Sequence, residues 1–206
     1  MASAKIRYWI LIALVAISGF SQGMLLPLIA IILEQNGVSA SANGIHATAL
    51  YIGVLIASPF MEKPLQKLGF KPIIAIGGVL VFISLALFPV WNALWFWFIL
   101  RMIIGIGDHM LHFGTQTWIT TTVSEATRGR SIAFYGLSFG LGFTLGPLMT
   151  RLLTINEALP FIISALFSMF VWSALFFVKN MWPEQEDNTV QTTNSFERFF
   201  QTGKIA

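Results

Sequence analysis

Residues 8–33 read YWILIALVAISGFSQGMLLPLIAIIL, 26 positions without one charged side chain. A helix rises about 1.5 Å per residue and the hydrocarbon core of a bilayer is about 30 Å thick, so about 20 apolar residues cross it. This stretch is long enough. It is too long for the apolar region of a secretory signal, about 7–15 residues, although Lys5 and Arg7 precede it and Ser39-Ala40-Ser41-Ala42 offers small residues for cleavage. It therefore reads as an uncleaved first transmembrane helix.

Outward from it, Gly, Pro, Asn and charge clusters divide the chain into further apolar blocks at 44–62, 72–91, 94–121, 131–151 and 159–180. The breaks fall at Glu34-Gln35-Asn36-Gly37, Glu62 through Pro72, Pro89-Val90-Trp91-Asn92, Glu125 through Arg130, and Arg151 through Glu157. The expected fold is an all-α membrane protein of six transmembrane helices over residues 1–180, with a cytoplasmic linker or tail over 181–206. Composition agrees: 56% of the 206 residues are hydrophobic and 10% charged, where a soluble domain carries about 25% charged. The chain has no cysteine, which excludes disulfides, thiolate catalysis and thiolate metal sites.

The net charge of +3 comes from basic residues scattered over short loops, not from a patch that would fit nucleic acid. Lys5, Arg7, Lys63, Lys67, Lys71, Arg128, Arg130, Lys179, Arg198 and Lys204 all fall on one side, Arg151 alone on the other, and Arg101 inside a span. Positive charge is retained on the cytoplasmic face, so both termini are expected there, in the plasma membrane of a bacterial cell. Trp9, Trp91, Trp95, Trp172 and Trp182 sit near span ends, as an aromatic belt would place them. Phe196, Phe199 and Phe200 beside Arg198 and Lys204 fit either a surface helix or an unstructured linker.

An ionisable residue inside a span is costly and points to function. The fourth span concentrates them: Arg101, Asp108, His109 and His112, with Gly105 between. At about 100° per residue, Arg101, Gly105, Asp108 and His112 fall within about 60° of one another. Asp108 and His112, four apart, can meet on one face and pass a proton. Arg101 lies about 10.5 Å along the axis from Asp108, too far for a direct pair. Its expected partners are Gln22 or Ser18 of the first span. Ser18, Gln22, His109 and Thr115 are the candidate lining of a substrate cavity. A metal held by Asp108, His109 and His112 is disfavoured, because His109 points about 60° away from His112 and no second acidic span completes a shell.

The fifth span carries two small-xxx-small pairs, Gly136/Gly140 and Gly142/Gly146, followed by Pro147. They fit either a packing face or a bending interface, with Gly142, Gly146 and Pro147 as the bend. Ser58-Pro59-Phe60-Met61 and Gly146-Pro147-Leu148-Met149 occupy corresponding places in two three-helix groups of opposite orientation, the pattern of inverted repeats.

These segments resemble the major facilitator superfamily over essentially the whole chain, as the first six of that family's usual twelve helices. Ser58-Pro-Phe-Met-Glu62-Lys63 with Leu68-Gly69-Phe70-Lys71-Pro72 is similar to the family's Gly-x-x-x-Asp-Arg-x-Gly-Arg-Arg loop, with Ser58 for Gly, Glu62 for Asp and Lys63 for Arg. Leu100-Arg101-x-x-x-Gly105 resembles its helix-four motif. Gly142-x-x-x-Gly146-Pro147 resembles its antiporter motif in helix five, with Met149 and Thr150 where glycines are expected. The motifs are closest to those of proton-coupled drug or metabolite efflux antiporters.

The resemblance implies a cavity between two six-helix halves that opens alternately to each side. It implies proton coupling through Arg101, and a cytoplasmic gate of Ser58, Glu62, Lys63, Gly69 and Lys71. Asp108 and His112 add to Arg101 from the residue reading. The expected function is proton-coupled efflux of a small organic molecule, with no cofactor. A proton-independent or uptake facilitator is the alternative; a scaffold or membrane enzyme is a third reading, and an enzyme is not expected. The partners are then protons, a small-molecule substrate, the bilayer and a second six-helix half, whether a missing continuation, a second copy or a separate chain.

Overall fold

The computed structural model of the chain describes residues 4–183. A backbone in hydrocarbon must satisfy its own N–H and C=O groups, and a helix does so within one segment. Among the described residues, six helical segments are long and apolar enough to cross: Ala4–Gln35, Ala40–Phe60, Phe70–Val90, Leu94–Thr122, Glu125–Thr154 and Leu159–Phe177. The α-helices within them are α1 (Ala4–Gln35), α2 (Ala40–Ala57), α4 (Phe70–Leu87), α5 (Leu94–Thr122), α6 (Glu125–Leu145) and α7 (Leu159–Ser173), and a short α3 (Glu62–Leu68) joins the second span to the third. Tighter 3₁₀ turns at Ser58–Phe60, Phe88–Val90, Gly146–Thr154 and Ala174–Phe177 finish α2, α4, α6 and α7. The fold is the expected all-α bundle of six spans.

Two of the expected breaks are corrected, and a third is shortened, since Arg151 through Thr154 belongs to the 3₁₀ extension of the fifth span. Glu125 through Arg130 is not a loop but the first turns of α6; the break is Val123-Ser124, where the backbone turns extended and Ser124 starts the helix. Charge misled there, because Glu125 is well placed beside the unpaired N–H groups of a helix start. Glu62 through Pro72 is mostly helical too, interrupted only at Gly69, whose φ of +84° suits a residue without a Cβ.

The two three-helix groups interlock. α1 packs chiefly along α6 and its 3₁₀ extension, and α5 along α2 and α4. Each middle helix thus leans on the first helix of the other group. Glycine permits this closeness: a methyl at Gly142 would overlap the Ala16 carbonyl of α1, and one at Gly105 the Leu50 carbonyl of α2. Gly142/Gly146 is therefore a packing pair, whereas Gly136 and Gly140 face open space.

Two apolar clusters fill the interior at different levels. One joins Leu11 and Leu14 of α1 to Met61, Phe70, Leu111 and Trp118; the other joins Leu25 and Ile29 to Leu85, Phe88, Trp97 and Phe161. Between them lies a polar level with Ser18, Ser21 and Asp108, where Ser21 meets Ser164 and Ser168 of α7 at 3.2 and 3.4 Å.

Candidate functional site

The functional residues of the fourth span separate into two groups. Asp108 is 3% exposed and Arg101 2%. They face different helices. Ser18 Oγ of α1 donates to Asp108 Oδ1 at 2.8 Å and lies 3.2 Å from His112 Nε2. His112 Nδ1 is hydrogen-bonded to the Tyr135 hydroxyl of α6. Gln22, one turn beyond Ser18, also approaches the Asp108 carboxyl, but no hydrogen bond of ordinary geometry reaches Oδ2.

Donor counting orders this chain. Ser18 has one hydroxyl hydrogen and gives it to the carboxylate, so His112 Nε2–H donates to Ser18 Oγ. Neutral His112 is then an acceptor at Nδ1, and Tyr135 O–H donates to it. Every link points toward Asp108. The groups stand on α6, α5, α1 and again α5, and no helix alone could hold them.

Arg101 sits elsewhere than expected. Its partner is not Ser18 or Gln22 but His46 of α2, whose Nδ1 lies 3.0 Å from the guanidinium NH1. The correction follows from depth: the polar residues of α1 stand level with Asp108, while α2 crosses α5 near Leu50 and Gly105, beside Arg101. Arginine only donates, so His46 accepts at Nδ1 and its Nε2–H donates to the Leu94 carbonyl at 3.3 Å. Arg101 Nε is buried without a partner.

Of the remaining candidates, Thr115 stands beside Tyr135 and His109 stands apart. Thr115 is fully buried and donates to the Leu111 carbonyl of its own helix at 2.7 Å. His109 lies half-buried against Phe113, with Nε2 unpartnered. Among the described residues no three His, Cys, Asp or Glu side chains converge on a metal position. Gly136-Leu-Ser138-Phe-Gly140 has the Gly-x-Ser-x-Gly spacing of a nucleophile elbow, which requires a strand-to-helix turn. Here it is continuous helix, and Ser138 Oγ donates to the Phe134 carbonyl at 2.7 Å.

In the gate loop, Ser58 and Lys63 are exposed, and exposed Glu62 accepts from Gln66 Nε2 at 3.4 Å. Gly69 and Lys71 bind the chain that leaves α7. Phe70 N–H donates to the Met181 carbonyl at 2.9 Å, and Lys71 N–H to Asn180 Oδ1 at 3.0 Å. Asn180 Nδ2 donates to the Leu68 carbonyl at 2.8 Å, and Lys71 Nζ to the Val178 carbonyl at 2.8 Å. A Cβ at Gly69 would collide with Asn180. The expected tail 181–206 thus begins as a strap; Phe196, Phe199, Phe200, Arg198 and Lys204 lie outside the described residues.

His46 and Tyr135 were missed in the sequence. His46 is a lone histidine in a span, and the rule applied to the fourth span would have flagged it. Tyr135 carried no signal, since an aromatic in a span is ordinary.

A family model described as Major Facilitator Superfamily matches residues 11–202. The chain belongs to the major facilitator superfamily. As a superfamily member it is 56% identical over 198 residues to an uncharacterized MFS-type transporter, YfkF, of Bacillus subtilis, covering 96% of this chain and 51% of that protein. It is 26% identical over 170 residues to Multidrug resistance protein 1 of Bacillus subtilis, covering 82% of this chain and 44% of that one. It is 27% identical over 125 residues to the Quinolone resistance protein NorA of Staphylococcus aureus, covering 61% and 32%. The fold is similar to the crystal structure of a bacterial homolog of the human lysosomal transporter Spinster, inward-facing and unoccupied, with a TM-score of 0.67 at 13% identity over 98% of this chain and 50% of that one. The chain spans about half the length of YfkF and of that solved structure.

Proposed function

We propose that this chain forms one half of a secondary transporter that exports a small organic molecule in exchange for protons, by alternating access. The observation that carries the reading is Asp108: a carboxyl in the middle of an apolar span, 3% exposed, held by a serine hydroxyl and facing no opposite charge among the described residues. Gaining or losing one proton there changes the buried charge by a full unit. Charge within the membrane is expensive, so the balance between open and closed forms then depends on that proton.

Asp108 carries the proton, His112 exchanges it, and Arg101 holds the positive end of the same helix face. Gln22 stands beside Asp108, and Gln22 and His109 line the substrate path. Both termini are cytoplasmic, and Ser58, Glu62, Lys63 and the strap-bound Gly69 and Lys71 gate the cytoplasmic end. A second six-helix half covers α2 and α6. The support for this is their exposure: 22% and 11% of the most apolar stretches of those spans are buried, against 56% for the first span. Efflux rather than uptake follows the names of the multidrug and quinolone resistance relatives.

The test is transport in proteoliposomes with an imposed pH gradient, using ethidium as the probe and a trapped pH-sensitive dye for protons. Ethidium movement that follows the gradient, with proton movement opposite, is expected. The proposal fails if transport ignores the gradient, or if Arg101→Ala and Asp108→Asn both leave it unchanged.

A further inference from the structure

We infer that Tyr135, His112 and Ser18 form a proton relay that loads Asp108 from the end of the bundle where α1 begins and α5 ends. This rests on the reading above, in which Asp108 carries the coupled proton, and adds the route by which that proton arrives.

Asp108 is almost fully buried. It lies between the two apolar clusters, and its first polar neighbour is Ser18 Oγ at 2.8 Å. From there the hydrogen bonds run without a gap through His112 to Tyr135. Each of these three groups can accept a proton at one position and release another, whereas the carboxyl is an end point. Aspartate, serine, histidine and tyrosine in this order form a wire that ends at the carboxyl.

The other terminus leads toward water. A cavity of about 310 Å³ opens at the ends of α1, α5 and α6, lined by Arg7, Tyr8, Leu11, Ile119, Ser131 and Phe134. Ser131 and Phe134 lie one turn and one residue before Tyr135 on α6. The cavity lining thus reaches the residue before Tyr135 on α6.

Transfer along the wire balances. A hydronium ion arriving from the cavity side gives a proton to Tyr135 Oη as the tyrosine's own hydrogen moves to His112 Nδ1. His112 Nε2–H passes to Ser18 Oγ, and the original Ser18 hydrogen passes to Asp108 Oδ1. One proton enters, the carboxylate becomes a neutral carboxyl, and each intermediate group keeps its proton count. The hydrogen bonds now point away from Asp108 and must rotate back before the next cycle.

Other groups face this site as well. Arg101, His109 and His112 stand on the same helix; α1 contributes Ser18 and Gln22, α2 contributes His46 through Arg101, and α6 contributes Tyr135. The side of α5 that meets α4 does so at Gly107, against Gly77 and Val81, with no titratable group. Among the described residues, the hydrogen bonds from Asp108 run through Ser18 and His112 to Tyr135, toward the cavity end of α6.

The relay is tested by the rate at which Asp108 gains a proton. In the purified transporter, a pH jump followed by infrared spectroscopy reads the carboxyl band, assigned by its loss in Asp108→Asn. Ser18→Ala and Tyr135→Phe are each expected to slow its appearance about tenfold or more. The double variant should be no slower than the slower single, because the links are in series. Ser18→Thr should restore the rate, which separates loss of the hydroxyl from loss of the fold. An unchanged rate in either alanine or phenylalanine variant, with the band still present, overturns the relay and leaves proton-coupled transport standing. A chain in which no Asp108 band responds to pH overturns both.

Discussion

Asp108 and Arg101 share one face of α5, seven residues apart, and have become parts of different machinery. Asp108 ends a row of groups that each donate and accept, drawn from α1, α5 and α6. Arg101 ends a row that runs only one way: a guanidinium that must donate, a histidine that must accept from it, and the Leu94 carbonyl that fixes the histidine's other nitrogen. The first arrangement can reverse its hydrogen bonds when a proton arrives. The second cannot without breaking, and it ties α2 to α5 near the Gly105–Leu50 crossing. A shared helix face is therefore not a shared site; which neighbouring helix reaches each level decides the chemistry.

This contrast can be broken most directly at its functional end. Asp108→Asn is expected to lower gradient-driven ethidium transport by about 100-fold or more, as loss of a positioned proton-transfer group does. His46→Gln, which keeps an acceptor for Arg101, should retain most of it. If His46→Gln abolishes the gradient response as fully as Asp108→Asn, the two rows are one site.

The structural end is sharpened by stability. His46→Ala strips a buried cation of its acceptor and is expected to destabilise the bundle by about 2–3 kcal/mol, while Ser18→Ala costs about 1.5 kcal/mol, the low end for a hydrogen bond to a charged group, because Gln22 remains beside the carboxyl. Unfolding of the detergent-solubilised protein measures both. A larger loss for Ser18→Ala would reverse the assignment of anchor and relay.

Between the rows, Gly105→Ala pushes a methyl into the Leu50 carbonyl, and overpacking there is expected to cost about 1–3 kcal/mol and to loosen the Arg101–His46 pair. Its counterpart is Gly129→Ala near the start of α6, where nothing lies within 4 Å of the added methyl. There the gain in helix propensity should raise stability by about 0.5–1 kcal/mol. Equal effects at the two glycines, read in the same unfolding experiment, would show that the α2–α5 crossing is not the tight contact described.

Sequence alone determined the six spans, because burial of apolar side chains in lipid and the need for internal backbone hydrogen bonds leave a long apolar stretch one solution. It also marked Arg101, Asp108 and His112, because ionisable groups are rare enough in a span to stand out singly. Helical spacing showed that they share a face. Spacing along one helix says nothing of what approaches that face, so the pairing of Arg101 with His46, and of Asp108 with Ser18, belonged to the tertiary structure. Tyr135 entered the site for the same reason: it is an ordinary aromatic in its own helix and becomes the end of a hydrogen-bonded row only where α6 lies against α1 and His112. Likewise, two glycine pairs on α6 looked alike in sequence, and only the close approach of α1 distinguished the packed pair, Gly142/Gly146, from the open one.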